Sequence, residues 1–381
     1  MNRRRFLAAG AGCSACLVAE LAAAQDWQAP ARFARPELAS DEGGLWALMD
    51  REETRLRRSP FALRDPQLHT HVQDMACRLA GEHCPDVRVH LVRTPYFNAS
   101  MAPNGMLQVW TGLLLRVDNE AQLAAVLGHE IGHYLARHSV ERLRDAKSRS
   151  AFGQFLGLFG IAGAVGQLGL IASMFAYGRE HESEADRIGA ILMRKAGYDA
   201  GEAAKIWENL LLEIKARPEG LSNSPLFARH PAPDDRMEAL ASLAAGMPGG
   251  VANDAAWRER TKPFLRDWLN DEIKRGQHEE SLALLTRMML RSPSMPEYAY
   301  ARGEVYRLRA GDGDLDSAIA DFKAAAAIGG EPAETHRGLG MIYRLRKQPA
   351  EARSGLQRYL ELAPQAPDFA MMKTYLEELP Q

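Results

Sequence analysis

The chain lacks a basic excess and is poor in cysteine. Its 381 residues include 47 lysines and arginines against 49 aspartates and glutamates, a formal net charge of −2 at pH 7. Proteins that bind nucleic acid usually carry a strong positive surplus, so this balance argues against nucleic acid as the main partner. The sequence contains four cysteines, too few for a fold held together by many disulfides. Its length allows two domains, each with its own core.

The first 24 residues have the composition of an export signal rather than of a folded domain. Three arginines at positions 3–5 precede an apolar segment, which ends in a small-residue A-x-A site at Ala24. The string RRRFL at positions 3–7 is similar to the twin-arginine motif R-R-x-F-L. A general secretory signal with a basic start is the alternative. Either signal predicts cleavage after Ala24 and a periplasmic mature protein.

Cys77 and Cys84 are the two cysteines that follow this signal. A cysteine pair in an oxidising compartment predicts a disulfide. Their spacing alone does not prove a bond, and two separate buried thiols are the alternative.

The pattern of apolar residues predicts helices around two short strands. A polar amphipathic helix is expected over 41–59, and strands over 87–93 and 106–110, with a turn at Asn104-Gly105 between them. The next helix begins after Asn119, with Gln122 three residues later as in a capping box. Another helix is expected over 179–196, with Gly197 just after it as a C-cap.

The C-terminal part of the chain repeats at the spacing of tetratricopeptide units. Ala318 and Ala352 are 34 residues apart, as are Phe322 and Leu356, and 34 residues is the length of this helical repeat. A stretch rich in glycine and small residues over 244–253 precedes the repeats. These patterns predict a linker at 246–260 and a small helical solenoid over 261–381.

The sequence HEIGH at 129–133 lies within the helix that follows Asn119. His129 and His133 are one helical turn apart, so both imidazoles can bind one cation. Glu130 lies beside them, where its carboxylate could accept a proton from a water molecule on the metal. Two imidazoles with a carboxylate ligand favour zinc.

The third histidine of the metzincin proteases is missing from this sequence. Ala136 and Ser139 occupy the positions at which metzincins have a glycine and that histidine. His138 lies off the face of the helix that carries the two ligands. It is therefore predicted to be solvated.

A third ligand is expected from Glu182 and Asp186, which form an E-x-x-x-D pair on one face of the later helix. The apolar residues that continue this face predict that it points inward, and buried acids need partners. Glu182 as a ligand, with Asp186 accepting a hydrogen bond from a ligand histidine, would satisfy both. Alone, such a pair is more typical of a solvated salt-bridge face. Glu184 is expected to point away, toward Arg187 and Lys195.

Four motifs together resemble the family-48 zinc metallopeptidases, gluzincins of the HtpX and BepA type, and in particular their periplasmic branch with C-terminal repeats. The motifs are NASMAPNGMLQVWTGLL at 98–114, HEIGH at 129–133, ESEADRIG at 182–189 and HPAPDDR at 230–236. The resemblance covers residues 60–245. Asn104 departs from the family, which has the first glycine of a P-G-G turn at this position.

This resemblance implies one zinc ion per chain, bound by His129, His133 and Glu182. It implies that Glu130 is the general base and that Asp186 supports a ligand histidine. In relatives the H-P segment lies close to the cleft, where His230 could steady the developing oxyanion or cap the zinc. A loop histidine before a turn-setting proline is the alternative.

Arg236 ends the last of the four motifs. It is expected either to supply a fixed positive charge to the site or to pair with Asp234 or Asp235.

Residues 152–177 form an uncharged segment that is long enough to span a bilayer. A single crossing would place His133 and Glu182 on opposite sides, and the segment is too short for two crossings. A buried helical hairpin is therefore expected. Packing against the solenoid or insertion into a membrane surface are the alternatives.

The predicted fold class is mainly α (α+β), in which a gluzincin-type zinc peptidase domain with a small sheet precedes a TPR-like α-solenoid. The peptidase domain is expected over 61–245, after an N-terminal helical segment at 25–60. A substrate peptide is predicted to pair with an edge strand formed by Met106, Leu107, Gln108 and Val109.

The resemblance implies a periplasmic zinc endopeptidase that acts on unfolded or misassembled envelope proteins. Its repeats would select these clients or dock to the outer-membrane protein assembly complex. The protein would also make peripheral contact with the membrane. A chaperone or adaptor with a gated, mostly latent protease site is the alternative. A membrane-inserted protease is disfavoured by the cleavable signal and the single apolar segment.

Overall fold

The computed structural model of the protein describes residues 27–148, 177–217 and 233–380. The expected export signal, the apolar segment except Tyr177, and His230 lie outside the described residues. Among the helices that are described, none is both long and apolar enough to cross a bilayer.

The described residues belong to two compact units. The first lies within Met1–Leu211 and Leu221–Pro263, and the second within Leu212–Gly220 and Phe264–Gln381. Both units are mainly helical, and the first contains a three-stranded sheet. The predicted fold class, mainly α with a small sheet and a helical C-terminal region, is confirmed. The domain bounds stay predictions.

The described helices of the first unit include three that begin at a capping side chain, Ser40, Asp65 or Asn119. In chain order they are α1 (Asp41–Arg58), α2 (Pro66–Ala80), α3 (Thr111–Arg116), α4 (Glu120–Leu135), α5 (His138–Ser148), α6 (Arg179–Lys195), α7 (Glu202–Lys215) and α8 (Pro233–Ala245). Asn119 caps α4 as predicted, since its side chain accepts a hydrogen bond of 2.9 Å from the amide of Gln122. The next helix is α9 (Asp254–Lys274). Both α7, after Leu211, and α9, after Pro263, cross a boundary between the two units.

The sheet consists of β1 (Arg88–Val92), β2 (Ala99–Met101) and β3 (Met106–Trp110), in the order β1-β3-β2. β1 runs parallel to β3, and β2 runs antiparallel to it. Both predicted strands are therefore present, but the pattern of apolar residues missed β2. Gly105 in the β2–β3 turn has φ 88°, and a Cβ there would lie 2.0 Å from the carbonyl oxygen of Asp86. Only glycine fits this position.

The prediction that a substrate pairs with Met106, Leu107, Gln108 and Val109 as an edge strand is wrong. These residues belong to β3, which is the central strand and is hydrogen-bonded on both sides. All four side chains are buried, as is typical of a strand covered on both faces. β3 therefore cannot accept a further strand.

α4 is the central helix of the first unit, and each of its residues is buried. It packs against α2, β2 and α6, and α2 also packs on β1. The 3₁₀ helix Gly81–Asp86 follows α2. A disulfide between Cys77 and Cys84 joins these two elements, so the structure contains the bonded pair rather than two separate thiols.

The second unit consists of helices in which each packs on the next. They are α10 (His278–Arg291), α11 (Pro296–Arg309), α12 (Asp314–Ile328), α13 (Glu334–Leu345), α14 (Pro349–Leu362) and α15 (Phe369–Glu377). The repeat positions Ala318, Phe322, Ala352 and Leu356 are fully buried. A Cβ on Gly303 would lie 2.7 Å from the ring of Phe322, so the small residue permits this helix contact. The assignment to tetratricopeptide repeats stays a prediction.

Candidate metal centre

The centre forms where α4 and α6 pack backbone against backbone. A Cβ on Gly189 would lie 2.9 Å from the amide nitrogen of His129. One turn further along α4, a Cβ on Gly132 would lie 2.9 Å from the carbonyl oxygen of Ala185. Glycine at these positions lets the two helices approach closely. The side chains on their facing sides therefore meet in a narrow space.

The three predicted ligands meet in this space. The Nε2 atoms of His129 and His133 are 3.1 Å apart. The carboxylate of Glu182 lies 3.5 Å from Nε2 of His129 and 3.3 Å from Nε2 of His133. All three residues are at most 3% exposed. Their candidate ligand atoms lie within 4.8 Å of one another.

The hydrogen bonding around His129 directs its Nε2 lone pair into this space. A carboxylate oxygen of Asp186 lies 2.8 Å from Nδ1 of His129. Burial alone would raise the pKa of Asp186, but the charge of Arg236 and the contact with His129 lower it to about 2. An ionised carboxylate only accepts hydrogen bonds, so Nδ1 of His129 carries the proton and donates it.

The buried atoms that converge on the centre are therefore hydrogen-bond acceptors. Nε2 of His129 and the carboxylate of Glu182 are both electron-pair donors, and Nε2 of His133 faces them. Buried acceptors that face one another repel unless a cation or proton lies between them. The set of two imidazoles and a carboxylate thus fits a divalent metal such as zinc.

Arg236 is buried against the carboxylates of this centre. Its Nε and Nη2 donate to the two oxygens of Asp186 at 2.8 and 2.7 Å, and its Nη1 lies 2.9 Å from Glu182. The guanidinium also stacks on the ring of Trp207, 4.3 Å from its centroid. Of the two expectations for Arg236, the structure shows the fixed positive charge at the site.

The charges around His129 raise its pKa when no metal is bound. Burial alone would lower the pKa of His129, but the hydrogen bond and charge of Asp186, with the charge of Glu182, raise it above the ordinary value. At a pH below this raised pKa, metal binding must therefore displace a proton from His129.

Glu130 lies on α4 between the two histidines and faces β2. Its carboxylate Oε2 accepts a hydrogen bond of 3.1 Å from the amide of Met101, and its side chain is buried. This contact places the predicted general base beside a strand whose other edge is paired with β3.

The prediction that His138 is solvated is wrong. His138 is 1% exposed, and its Nδ1 lies 2.8 Å from Nδ1 of His133. The expectation assumed a continuous helix, but α4 ends at Leu135 and Arg137 adopts a left-handed φ of 61°. This turn brings the first residue of α5 back to the ligand.

Glu184 is exposed, as expected of a surface charge, but it lies against His138 on the side of the candidate centre. Its carboxylate Oε2 lies 3.3 Å from Nε2 of His138. Tyr177 stacks on the ring of His133 with a centroid distance of 3.8 Å. His133 is thus held by groups that the sequence pattern did not identify.

Residues 62–244 match peptidase family M48. The chain carries an M48 peptidase domain. The Beta-barrel assembly-enhancing protease of Escherichia coli K12 is 29% identical over 48% of this chain and 40% of its own length. The protein of the same name from Yersinia pestis is 24% identical over 89% of this chain and 79% of its own. The Mitochondrial metalloendopeptidase OMA1 of Saccharomyces cerevisiae is 32% identical over 39% of this chain and 45% of its own.

The chain spans less than half the length of the Escherichia coli and yeast relatives. The shared region contains the M48 domain, which is a metallopeptidase domain. Within the part of the chain that the structure describes, His129, His133 and Glu182 are the group whose ligand atoms lie close enough for one metal ion. The candidate metal centre therefore lies in the M48 domain.

Proposed function

We propose that the protein is a zinc-dependent endopeptidase of the bacterial periplasm. The observation that supports this most strongly is the buried set of His129, His133 and Glu182 with Glu130 beside it on the same helix. Zinc in such a set supplies a Lewis acid that polarises a carbonyl group and lowers the pKa of water. The remaining chemistry belongs to side chains of the M48 domain.

Glu130 is proposed as the general base. It accepts a proton from the attacking water while the water oxygen adds to the scissile carbonyl carbon, and it returns the proton to the amine as the C–N bond breaks. The contact with the Met101 amide fixes its carboxylate next to β2. Glu130 thus lies where a peptide extended along that strand would pass.

The outer edge of β2 is proposed as the binding site for the substrate backbone. The amide of Ala102 donates to Met106, and that of Trp110 donates to Asn98, so these residues pair β2 with β3. In an antiparallel ladder alternate residues turn their N–H and C=O groups to the opposite edge. Ala99 and Met101 therefore direct theirs away from β3. Recognition through the main chain would allow broad substrate choice.

The proposed substrates are misfolded or misassembled envelope proteins. Two lines of support are the predicted export signal and the relatives named Beta-barrel assembly-enhancing protease. We propose that the helical second unit selects these clients or docks to the outer-membrane protein assembly complex. The apolar segment 152–177 would supply any peripheral contact with the membrane.

The test is cleavage of casein by the purified mature protein, with zinc content measured on the same samples. Glu130→Gln should keep its zinc and lose at least about 100-fold in cleavage rate, because general base catalysis contributes about that much. Glu180→Gln, an exposed position on α6, is the matched control and should cleave normally. Equal cleavage by wild type and Glu130→Gln would contradict the proposal.

A cellular assay separates the proteolytic role from that of a chaperone or adaptor with a latent site. Glu130→Gln is expressed in cells that lack the protein, at the wild-type level. Loss of function supports proteolysis. Full function of the variant, with zinc but no cleavage in vitro, would favour the chaperone or adaptor.

A further inference from the structure

A series of three side chains leads away from the candidate metal centre: His133 and His138 are buried, and the third, Glu184, is exposed. His133 and His138 face each other through their Nδ1 atoms at 2.8 Å. The other ring nitrogen of His138 lies 3.3 Å from the carboxylate of Glu184. His138 comes from the start of α5 and Glu184 from the first turns of α6. His133, which lies on α4, is therefore linked to side chains from α5 and α6.

The protons in this series of side chains can be assigned by starting from the carboxylate of Glu184. The carboxylate of Glu184 accepts a hydrogen bond, so a neutral His138 carries its proton on Nε2 and has a lone pair on Nδ1. Two ring nitrogens at 2.8 Å need one proton between them, and His133 must supply it from its own Nδ1. Nε2 of His133 then has a lone pair that points at Glu182 and His129.

The opposite assignment would disable the site. If Nδ1 of His138 carried the proton, its Nε2 lone pair would face the Glu184 carboxylate, and the two would repel. His133 would then carry its proton on Nε2, where it cannot bind a metal. Through His138, the carboxylate of Glu184 therefore selects the tautomer of His133, which it does not contact.

We infer that His138 is a positioning residue that fixes His133 in the tautomer and orientation that binds the metal, with Glu184 orienting His138 in turn. The inference rests on the proposed function, since it concerns the same metal site. His133 is then supported by the neutral imidazole of His138, whereas His129 is supported by the carboxylate of Asp186. Groups that support a ligand in this way affect metal affinity by about 10- to 100-fold.

The residues around His138 do not form a second metal site. The ring of His181 lies 4.3 Å from that of His138, and its Nε2 lies 3.2 Å from Glu141. In the described ranges, however, these atoms do not come close enough together to bind one ion, whereas those of the candidate centre do. His138 therefore acts through His133.

The direct experiment is ¹⁵N NMR of the histidine rings in the zinc-bound, full-length mature protein. We expect the signal of His133 to show a proton on Nδ1, coupled across the hydrogen bond to Nδ1 of His138. A proton on Nδ1 of His138 instead would overturn the inference. Because this measurement uses the wild type, it does not depend on how a variant folds.

Variants provide the second arm, with the zinc dissociation constant measured by competition with a chelator. His138→Leu removes the acceptor and should weaken zinc binding by about 10- to 100-fold. His138→Asn places an amide oxygen near the position of Nδ1 and should recover most of that loss. Glu184→Gln should fall between wild type and His138→Leu, and His181→Gln, the matched control, should bind as wild type does.

The melting temperatures of the metal-free proteins separate positioning from general destabilisation. If His138 had a merely structural role, the melting temperature would fall in both His138→Leu and His138→Asn. Asparagine would then not restore zinc binding. Unchanged zinc affinity in a folded His138→Leu would overturn the inference and leave the proposed function intact. A wild-type protein that binds no zinc would overturn both.

Discussion

Gly189 of α6 lies directly against the backbone of His129 on α4, and a Cβ at residue 189 would come within 2.9 Å of the His129 amide nitrogen. Side chains do not tolerate so short a contact with backbone, so any larger residue must move one helix away from the other. α6 carries the candidate ligand Glu182, whereas α4 carries the candidate ligands His129 and His133. The spacing of these two backbones therefore sets the distance between the ligands.

Gly189→Ala should lower both stability and zinc affinity. We expect a loss of about 1–3 kcal/mol in the free energy of unfolding, because the added methyl overpacks a contact between two backbones. Urea denaturation and zinc titration would measure the two effects. Gly44→Ala in α1 is the control, since nothing lies within 4 Å of its Cβ. Alanine there should be neutral or stabilise by up to about 1 kcal/mol. Normal zinc affinity in Gly189→Ala would contradict the account.

Arg236→Met should destabilise the metal-free protein strongly. The guanidinium pairs with the buried carboxylates of Asp186 and Glu182. Removal of one partner from a buried ion pair costs about 3–5 kcal/mol, because the other charges stay buried. Lysine should not restore the loss, since it cannot make the paired contacts with Asp186. Denaturant unfolding is the measurement, and Arg258→Met at an exposed site is the control. A change below about 1 kcal/mol in Arg236→Met would count against the described site.

The stability contributed by Glu53 should disappear at low pH. Burial alone would raise the pKa of Glu53, but hydrogen bonds from Arg88 and His90 lower it to about 2. The ordinary pKa is 4.5, so this stabilisation is fully present above that value. It is lost as the pH falls through about 2.

The comparison that measures it is wild type against Glu53→Gln in urea. At pH 7 the wild type should be more stable by roughly 1–3 kcal/mol. The difference should shrink steadily between about pH 5 and pH 2. A difference that stays constant over this range would show that Glu53 is not held as an ionised group.

Zinc binding should release protons near neutral pH. The pKa of His129 is raised in the metal-free protein, and zinc needs its neutral ring. Zinc affinity should therefore fall as the pH drops through that raised pKa. Asp186→Asn removes the carboxylate that raises it and should reduce the number of protons released. Calorimetry in buffers of different ionisation enthalpy would count them, and equal proton release in the two proteins would contradict this role of Asp186.

Efficient cleavage of a peptide should require the backbone N–H group of every second residue. A peptide paired with the outer edge of β2 uses alternate amides, since the ladder repeats every two residues. N-methylation at those positions should lower kcat/KM, whereas methylation at the positions between them should have little effect. A peptide series with one N-methyl group at each position in turn would test this. Equal effects at adjacent positions would argue against strand pairing.

The side chains that form the candidate metal centre were predictable because their pattern is local. His129 and His133 lie one turn apart on a helix whose start is marked by Asn119, and Glu182 lies on another regular helix with Asp186 one turn further on. In each case the helical period alone decides which side chains share a face. Which residues support these side chains depends on how separate helices pack together. The helical period of one segment does not predict that packing.

His138 shows why local reasoning failed beyond the helix. Its position depends on a left-handed residue, Arg137, and non-glycine residues seldom adopt that conformation. The sequence likewise did not show that β3 is the central strand, because side-chain alternation reports the buried faces of a sheet and not its paired edges. The partners of Arg236 depend on the packing of α8 against α6, two helices that are far apart in the sequence.

The most direct test of the central claim is the zinc stoichiometry of the wild type and of His129→Ala, His133→Ala and Glu182→Ala. Each metal-free protein would be dialysed against the same low concentration of free zinc. The account predicts about one zinc ion per wild-type chain and a large loss in every variant, since structural and catalytic zinc sites need at least three protein ligands. One zinc ion retained in all three variants would show that the metal binds elsewhere, and would contradict the account.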